Sequence, residues 1–156
     1  MRKALRSPLM ALALIVAFAG GVLATTATGF HPTLLARGTL SESVHYNTGA
    51  VKFQTKRPVD FVTQTITFDA SGSSGWHAHP GVVLVTVVSG SLVRYDEHCS
   101  ATVVAAGSAF TESGADAGLV RNESTTTPAV VYATFIVPRG TTALRIDKAN
   151  PGCPQN

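Results

Sequence analysis

Apolar positions along this chain fall into two regimes. Residues 9–24 (LMALALIVAFAGGVLA) are apolar without a break, and they follow a segment holding Arg2, Lys3 and Arg6 and no acid. From residue 28 onward the apolar residues come in short runs rich in Val, Thr, Ile and Phe, punctuated by Gly, Ser, Asp and Pro. No stretch there keeps the 3.6-residue period of a long amphipathic helix, so the pattern predicts strands joined by turns. The predicted strands are 33–40, 50–55, 59–68, 76–79, 82–88, 91–96, 100–105, 108–111, 118–121, 128–138 and 142–147, with residues 69–75 (DASGSSG) as a turn. Many short strands, no internal repeat and no change of composition after the leader predict an all-β fold, a single antiparallel sandwich or barrel.

Alternation shows which faces are buried. Val62, Ile66 and Phe68 share one face of their strand. Two other strands are apolar on both faces: Val83, Val85 and Val87 alternate with Val82, Leu84 and Thr86, and Val130, Tyr132 and Ile136 alternate with Val131, Phe135 and Val137. A barrel strand needs only its inner face apolar, so the outer face needs a cover. Either the arm before the barrel, residues 28–49, or a second copy of the chain supplies it; a homodimer is the favoured expectation.

The first regime reads as a secretory leader, residues 1–27, with cleavage after Ala24 or as late as Ala27. An uncleaved membrane anchor is the alternative, although a run of 16 residues falls short of the ~20 that span a bilayer. Export predicts a secreted or cell-envelope protein. The chain has 12 Lys plus Arg against 9 Asp plus Glu, and three of those cations lie in the leader, so the remainder is close to neutral. With no basic patch, nucleic acid is not an expected partner. The two cysteines, Cys99 and Cys153, form an even count in an oxidising compartment and predict one disulfide. It would tie the Pro/Gly-rich tail, residues 148–156, to the body.

His77 and His79 stand two apart in an extended segment, so both imidazoles leave the same face and two ring nitrogens converge. A metal site wants three or four ligands, so the pair alone is a weak signal. The stretch Gly72-Ser-Ser-Gly-Trp-His77-Ala-His79-Pro-Gly-Val-Val83, running on to Gly90, resembles the first cupin motif, and Gly107-Ser-Ala-Phe-Thr-Glu112 through Asn122 resembles the second. The resemblance covers residues 50–147 and implies a jelly-roll barrel of six to eight strands with a metal held by three His and an acid. Here the acidic position falls on Val83, the third His position on Gly118 and the Pro position on Ser113, while Asn122 is kept. Asp116 lies two before Gly118 and faces the same way if the strand extends back that far, making it the first candidate for a third ligand; Glu112 is the second. The competing reading of His77 and His79 is a hydrogen-bonding pair that orients a ligand or a water. Trp76 alternates with His77 and points away from the barrel axis, toward the arm or a partner. His98 beside Cys99 suggests a metal pair, but in an exported chain the disulfide is the better use of that cysteine. Asn122-Glu123-Ser124 matches a glycosylation acceptor, yet Asn122 also falls on the motif's Asn and the short pattern arises often by chance, and no Gly-x-Ser-x-Gly nucleophile elbow exists.

Together with the resemblance, these readings lead to the expectation of an exported cupin-domain protein that binds a small ligand in a pocket formed by His77, His79, Val83, Val85, Phe110 and Val120. A divalent metal (iron, manganese, zinc or nickel) would sit on His77, His79 and Asp116. The alternatives are a metal-dependent enzyme of the dioxygenase or isomerase kind using the same histidines, and an assembly protein in which the doubly apolar strands are the working surface.

Overall fold

A computed structural model describes residues 24–155; the leader up to residue 23 lies outside the described residues. The strands, in chain order, are β1 (Thr28–Leu40), β2 (His45–Asn47), β3 (Lys52–Gln54), β4 (Val59–Ser73), β5 (His77–Ala78), β6 (Val82–Ser89), β7 (Ser91–Tyr95), β8 (Ala101–Ala105), β9 (Ala109–Ser113), β10 (Leu119–Arg121), β11 (Ala129–Pro138) and β12 (Ile146–Asp147). Among the described residues no helix is long and apolar enough to cross a membrane. An eight-stranded sheet runs β8-β7-β10-β4-β11-β6-β9 with β1 also paired to β4, and β12-β5 and β2-β3 form two small sheets. All these pairings are antiparallel. The protein is an all-β, antiparallel barrel of jelly-roll form.

The pleat obeys the alternation of the sequence. In β6, Val83, Val85 and Val87 are buried; in β11, Val131, Phe135 and Val137 are buried; together with Val62, Ile66 and Phe68 of β4 they form the core. One predicted boundary moves. Residues 69–75 do not form a turn: β4 continues to Ser73, which pairs with both Thr28 and Arg121. The Gly/Ser content of this stretch reflects a bend within the strand. Ser71 has φ 60°, a left-handed residue that carries the chain around the barrel corner. At Gly72 a Cβ would meet Gly29 O at 2.5 Å, so the close approach of β1 excludes any side chain there.

The arm does not cover the outer face. β1 lies edge to edge with β4 and widens the sheet. It is fastened through Asp60, whose carboxylate accepts Thr39 Oγ1 at 2.7 Å, Arg37 Nη1 at 2.9 Å and Gly140 N–H at 3.0 Å. The Thr39 and Gly140 bonds and the Arg37 charge outweigh burial and hold this carboxyl below its ordinary range. At one end the β2–β3 hairpin brings Phe53 against Phe61. Val82, Leu84 and Tyr132 remain more than two-fifths exposed.

A second, smaller core joins Trp76, Tyr95, Leu119 and Cys153. The Cys99–Cys153 disulfide is formed and fixes the tail over it. Trp76 is fully buried and points away from the barrel axis, but its cover is the tail rather than the arm or a partner: the indole N–H donates to Gln155 O at 3.2 Å. The residue's backbone is held from both sides. Its N–H donates to Thr25 Oγ1 at 2.6 Å and its carbonyl accepts Lys148 N–H at 2.9 Å, while Thr25 N–H donates to Lys148 O at 3.0 Å. The segment carrying both histidines is therefore clamped between the first described residues and the last.

Two other sequence candidates are structural. Cys99 is spent in the disulfide and His98 is exposed, so they make no metal pair. Asn122 is buried, and its side-chain amide donates to Asp69 O at 2.9 Å and Thr127 O at 2.8 Å. It fastens the turn before β11 to β4 and does not present its amide to solvent.

Candidate metal centre

His77 and His79 are carried by β5 and the residue just after it. His77 exchanges both backbone hydrogen bonds with Gly118, at 2.9 and 2.8 Å, and His79 N–H donates to Gly114 O at 3.2 Å. The rings are perpendicular with centroids 4.8 Å apart, and both side chains are buried. His77 Nδ1 lies 2.9 Å from Gly75 O, and His79 Nδ1 lies 2.7 Å from Leu144 O. A carbonyl oxygen only accepts, so each Nδ1 carries the hydrogen. In each neutral ring the bare nitrogen is then Nε2, and both Nε2 atoms turn toward one carboxylate. Glu112 Oε2 is 3.3 Å from His79 Nε2 and 4.0 Å from His77 Nε2. His77, His79 and Glu112 form a group that could hold a metal ion, with ligand atoms within 4.8 Å of one another.

The carboxylate is not where the sequence reading first placed it. Asp116 does not join the group, because the strand does not reach back to it: β10 begins at Leu119, and Asp116 sits exposed in the preceding turn. Glu112 joins it instead. On the antiparallel β6–β9 ladder Glu112 is the direct partner of Val83, the residue at the resemblance's acidic position. Cross-strand partners share a face with Cβ atoms about 5 Å apart. The acid has in effect moved one strand sideways. The sequence carries a signal for this: Phe110 reads as a pocket residue, and a residue two further along a strand faces the same way.

Burial and neighbouring charge shift two of the three groups. Burial lowers the His77 pKa, and the Glu112 charge offsets this only in part, so the ring stays neutral below its ordinary range. For Glu112, burial pushes the carboxyl up, but when no metal is bound a proton shared with His79 Nε2 and the His77, His79 and Arg94 charges together hold it below its ordinary value, and a bound metal would take that proton's place. In both cases the unfolded chain binds protons that the native group refuses. Stability is therefore expected to decline on acidification in two stages: first below about pH 6.5 as unfolded His77 protonates, then below about pH 4.5 as unfolded Glu112 does. Urea titrations between pH 4 and 8 check this, and a flat profile between pH 5 and 7 would contradict the His77 assignment.

Next to the group lies a cavity of about 380 Å³ inside the barrel. Val83, Val85, Phe110 and Val120 are together on its wall with Ile66 and Phe135, and its polar lining comprises His77, His79 and Glu112 with Gln64, Thr142 and Asp147. Arg145 also borders it, with its guanidinium bonded to Ser74 O and to Asp147.

No family model and no curated protein sequence matches the chain. Among solved structures it is similar to an oxalate oxidase in complex with the substrate analogue glycolate (20% identity, 48% of this chain and 41% of that one, TM-score 0.43). It is also similar to an RmlC-like cupin from Shewanella frigidimarina (17% identity, 74% and 86%, TM-score 0.49). A third is the cupin_2 domain of an XRE family transcriptional regulator from Enterobacter cloacae (16% identity, 72% and 100%, TM-score 0.48). The matched part spans less than half of the oxalate oxidase chain. Its own strand pairing makes the chain an antiparallel β-barrel that carries two histidines on its inner wall.

Proposed function

We propose that this chain binds one divalent metal ion through His77 Nε2, His79 Nε2 and the Glu112 carboxylate, and holds a small, largely apolar ligand in the barrel cavity beside it. The observation that carries this reading is the hydrogen-bond bookkeeping at the rings. Both Nδ1–H groups are committed to backbone carbonyls, so two imidazole lone pairs and a carboxylate face one point in a buried site. Such a set is satisfied by a cation. Carbonyls on the far ring nitrogens orient metal-binding imidazoles and raise their basicity. Two imidazoles and a carboxylate suit iron, manganese, zinc or nickel. When bound, such an ion supplies Lewis-acid or redox chemistry. Gly75 O and Leu144 O fix the ring orientations, and Val83, Val85 and Phe110 exclude water from the ligand side. An enzyme of the dioxygenase or isomerase kind is the second reading. It is less favoured because the imidazoles and the carboxylate nearest the cavity are taken up by the cluster, and Asp147, a further acid on its wall, is paired with Arg145.

Tag-free protein is expected to carry about one metal per chain by elemental mass spectrometry, and the His77→Ala/His79→Ala variant less than about a tenth of that. Wild-type protein that stays empty after exposure to all four metals would reduce the cluster to a hydrogen-bonded His–Glu group.

The disulfide is consistent with an extracytoplasmic location, and we read the chain as exported. Residues 25–27 then belong to the mature domain, since Thr25 is bonded to Trp76 and Lys148 and the backbone of 25–27 packs on Gly75. Cleavage is expected after Ala24 or earlier. Intact-mass measurement of exported protein checks it; a folded product beginning at Thr28 would refute it. The uncovered outer face of β6 and β11 supports a homodimer.

A further inference from the structure

A second cavity, also about 380 Å³, meets the first at the cluster: His77, His79 and Glu112 stand in the walls of both. The two differ in character. The barrel cavity is walled mainly by hydrocarbon, whereas the second is bounded by Arg94, Asp96, Glu97, His98 and Asp116 besides the cluster. Gly118 is part of this second wall. It is the hydrogen-bonded cross-strand partner of His77, so a side chain there would leave the same face as the imidazole. A Cβ at 118 would sit 3.7 Å from Glu112 Oε1, which is ordinary contact. The space such a side chain would take is left to the cavity.

We infer that the polar cavity is the path by which a metal ion reaches and leaves the cluster, kept open by the glycine at 118 and separate from the ligand's path through the barrel. This rests on the metal reading above. A divalent ion crossing the barrel cavity would pass a wall that is mostly hydrocarbon, with only a few oxygen groups such as Gln64, Thr142 and Asp147 to replace its water, and water lost without replacement costs several kcal/mol or more. On the polar side, oxygen groups stand along the way. Asp96, Glu97 and Asp116 outnumber the single Arg94, and a cleft of one sign raises the local concentration of its counter-ion and the association rate. Asp96 is also anchored, accepting His98 N–H and Ser100 N–H at 2.9 Å, so its charge stays fixed at the wall. Asp116, which does not join the cluster, acts here on the rate of binding instead. Because the two paths are separate, the ion can load while the barrel holds its organic ligand.

The test is stopped-flow association of Co²⁺, read by its visible absorption, beside equilibrium dialysis with the same ion. In the unmodified protein the association rate should fall as salt rises, because the path is net acidic. Asp116→Asn/Glu97→Gln should slow association about tenfold at low salt. Asp69→Asn removes an exposed charge outside both cavities and should leave the rate within about twofold. Gly118→Leu should slow association and dissociation together. A salt-independent rate in the unmodified protein overturns the inference, and so does an equal effect of the Asp69 change. Co²⁺ bound at equilibrium with indifferent kinetics removes this path alone; no Co²⁺ bound at equilibrium removes the metal reading with it.

Discussion

Replacing both cysteines, Cys99→Ser with Cys153→Ser, is expected to lower the unfolding free energy by about 4 kcal/mol and to weaken metal binding as well. The bond closes a loop of 54 residues, and the chain-entropy relation assigns a loop of that length about 4 kcal/mol at 25 °C. That is a large part of the 5–15 kcal/mol typical of a domain. The native-state contribution acts through Trp76. Without the bond, the tail is held over the indole by Asn150, which caps its own turn at Cys153, and by the Trp76–Gln155 hydrogen bond. Once the tail lifts, Trp76 loses its cover, and its neighbour in the chain is His77. The β12 pairing of Asp147 with His77 and the Lys148–Trp76 bond lie on the same segment. The measurements are urea unfolding of oxidised wild type against the double variant, and metal affinity of each. A loss under about 1 kcal/mol would mean that the tail is held by packing alone. A full stability loss with unchanged metal affinity would uncouple the clamp from the histidines.

How legible this molecule is in its sequence varies with the range of the interaction. Strands such as β6 and β11 are read from local alternation, and the pleat follows it residue by residue. The pairing of His77 with His79 is equally local, because two positions on one strand must share a face. Residues 69–75 mislead because Gly and Ser serve both turns and bent strands; only the pairing of Ser73 with Thr28 and Arg121 distinguishes them. Asp116 misleads for a related reason: its placement depends on where β10 begins, and strand ends are not fixed by alternation. The relocation of the acid to Glu112 depends on the register between β6 and β9, which no single strand encodes. The tail over Trp76 is further still from local pattern, since 79 residues separate the indole from the carbonyl it binds.

Glu112→Gln should abolish metal-induced stabilisation while keeping the metal-free fold, less the stability that the ionised carboxylate contributes above about pH 4.5. The two side chains are close in shape, so packing against Val83 is kept. In the metal-free protein the amide can donate to the Nε2 of His79, which now stands 3.3 Å from the carboxylate, so no buried group is stranded. The metal loses its only anionic ligand, and affinity should fall at least a hundredfold, on the order of the largest losses seen when support for a metal ligand is removed. Wild type at a metal concentration about 100 times its dissociation constant gains about 2.7 kcal/mol from binding, and the variant should gain almost none of it. Acid behaviour should change in step. The ionised Glu112 contributes stability above about pH 4.5 that is lost as the pH falls through its depressed native value. The variant has no such group, so that low-pH limb disappears while the decline associated with His77 remains. Thermal unfolding with and without added metal, at pH 7 and pH 4, measures both effects. Asp116→Asn is the comparator and should leave equilibrium affinity within about threefold, because its side chain stands outside the group of ligand atoms. If Asp116→Asn weakens binding and Glu112→Gln does not, the ligand belongs to the turn before β10, and the register of β9 is not what places the acid.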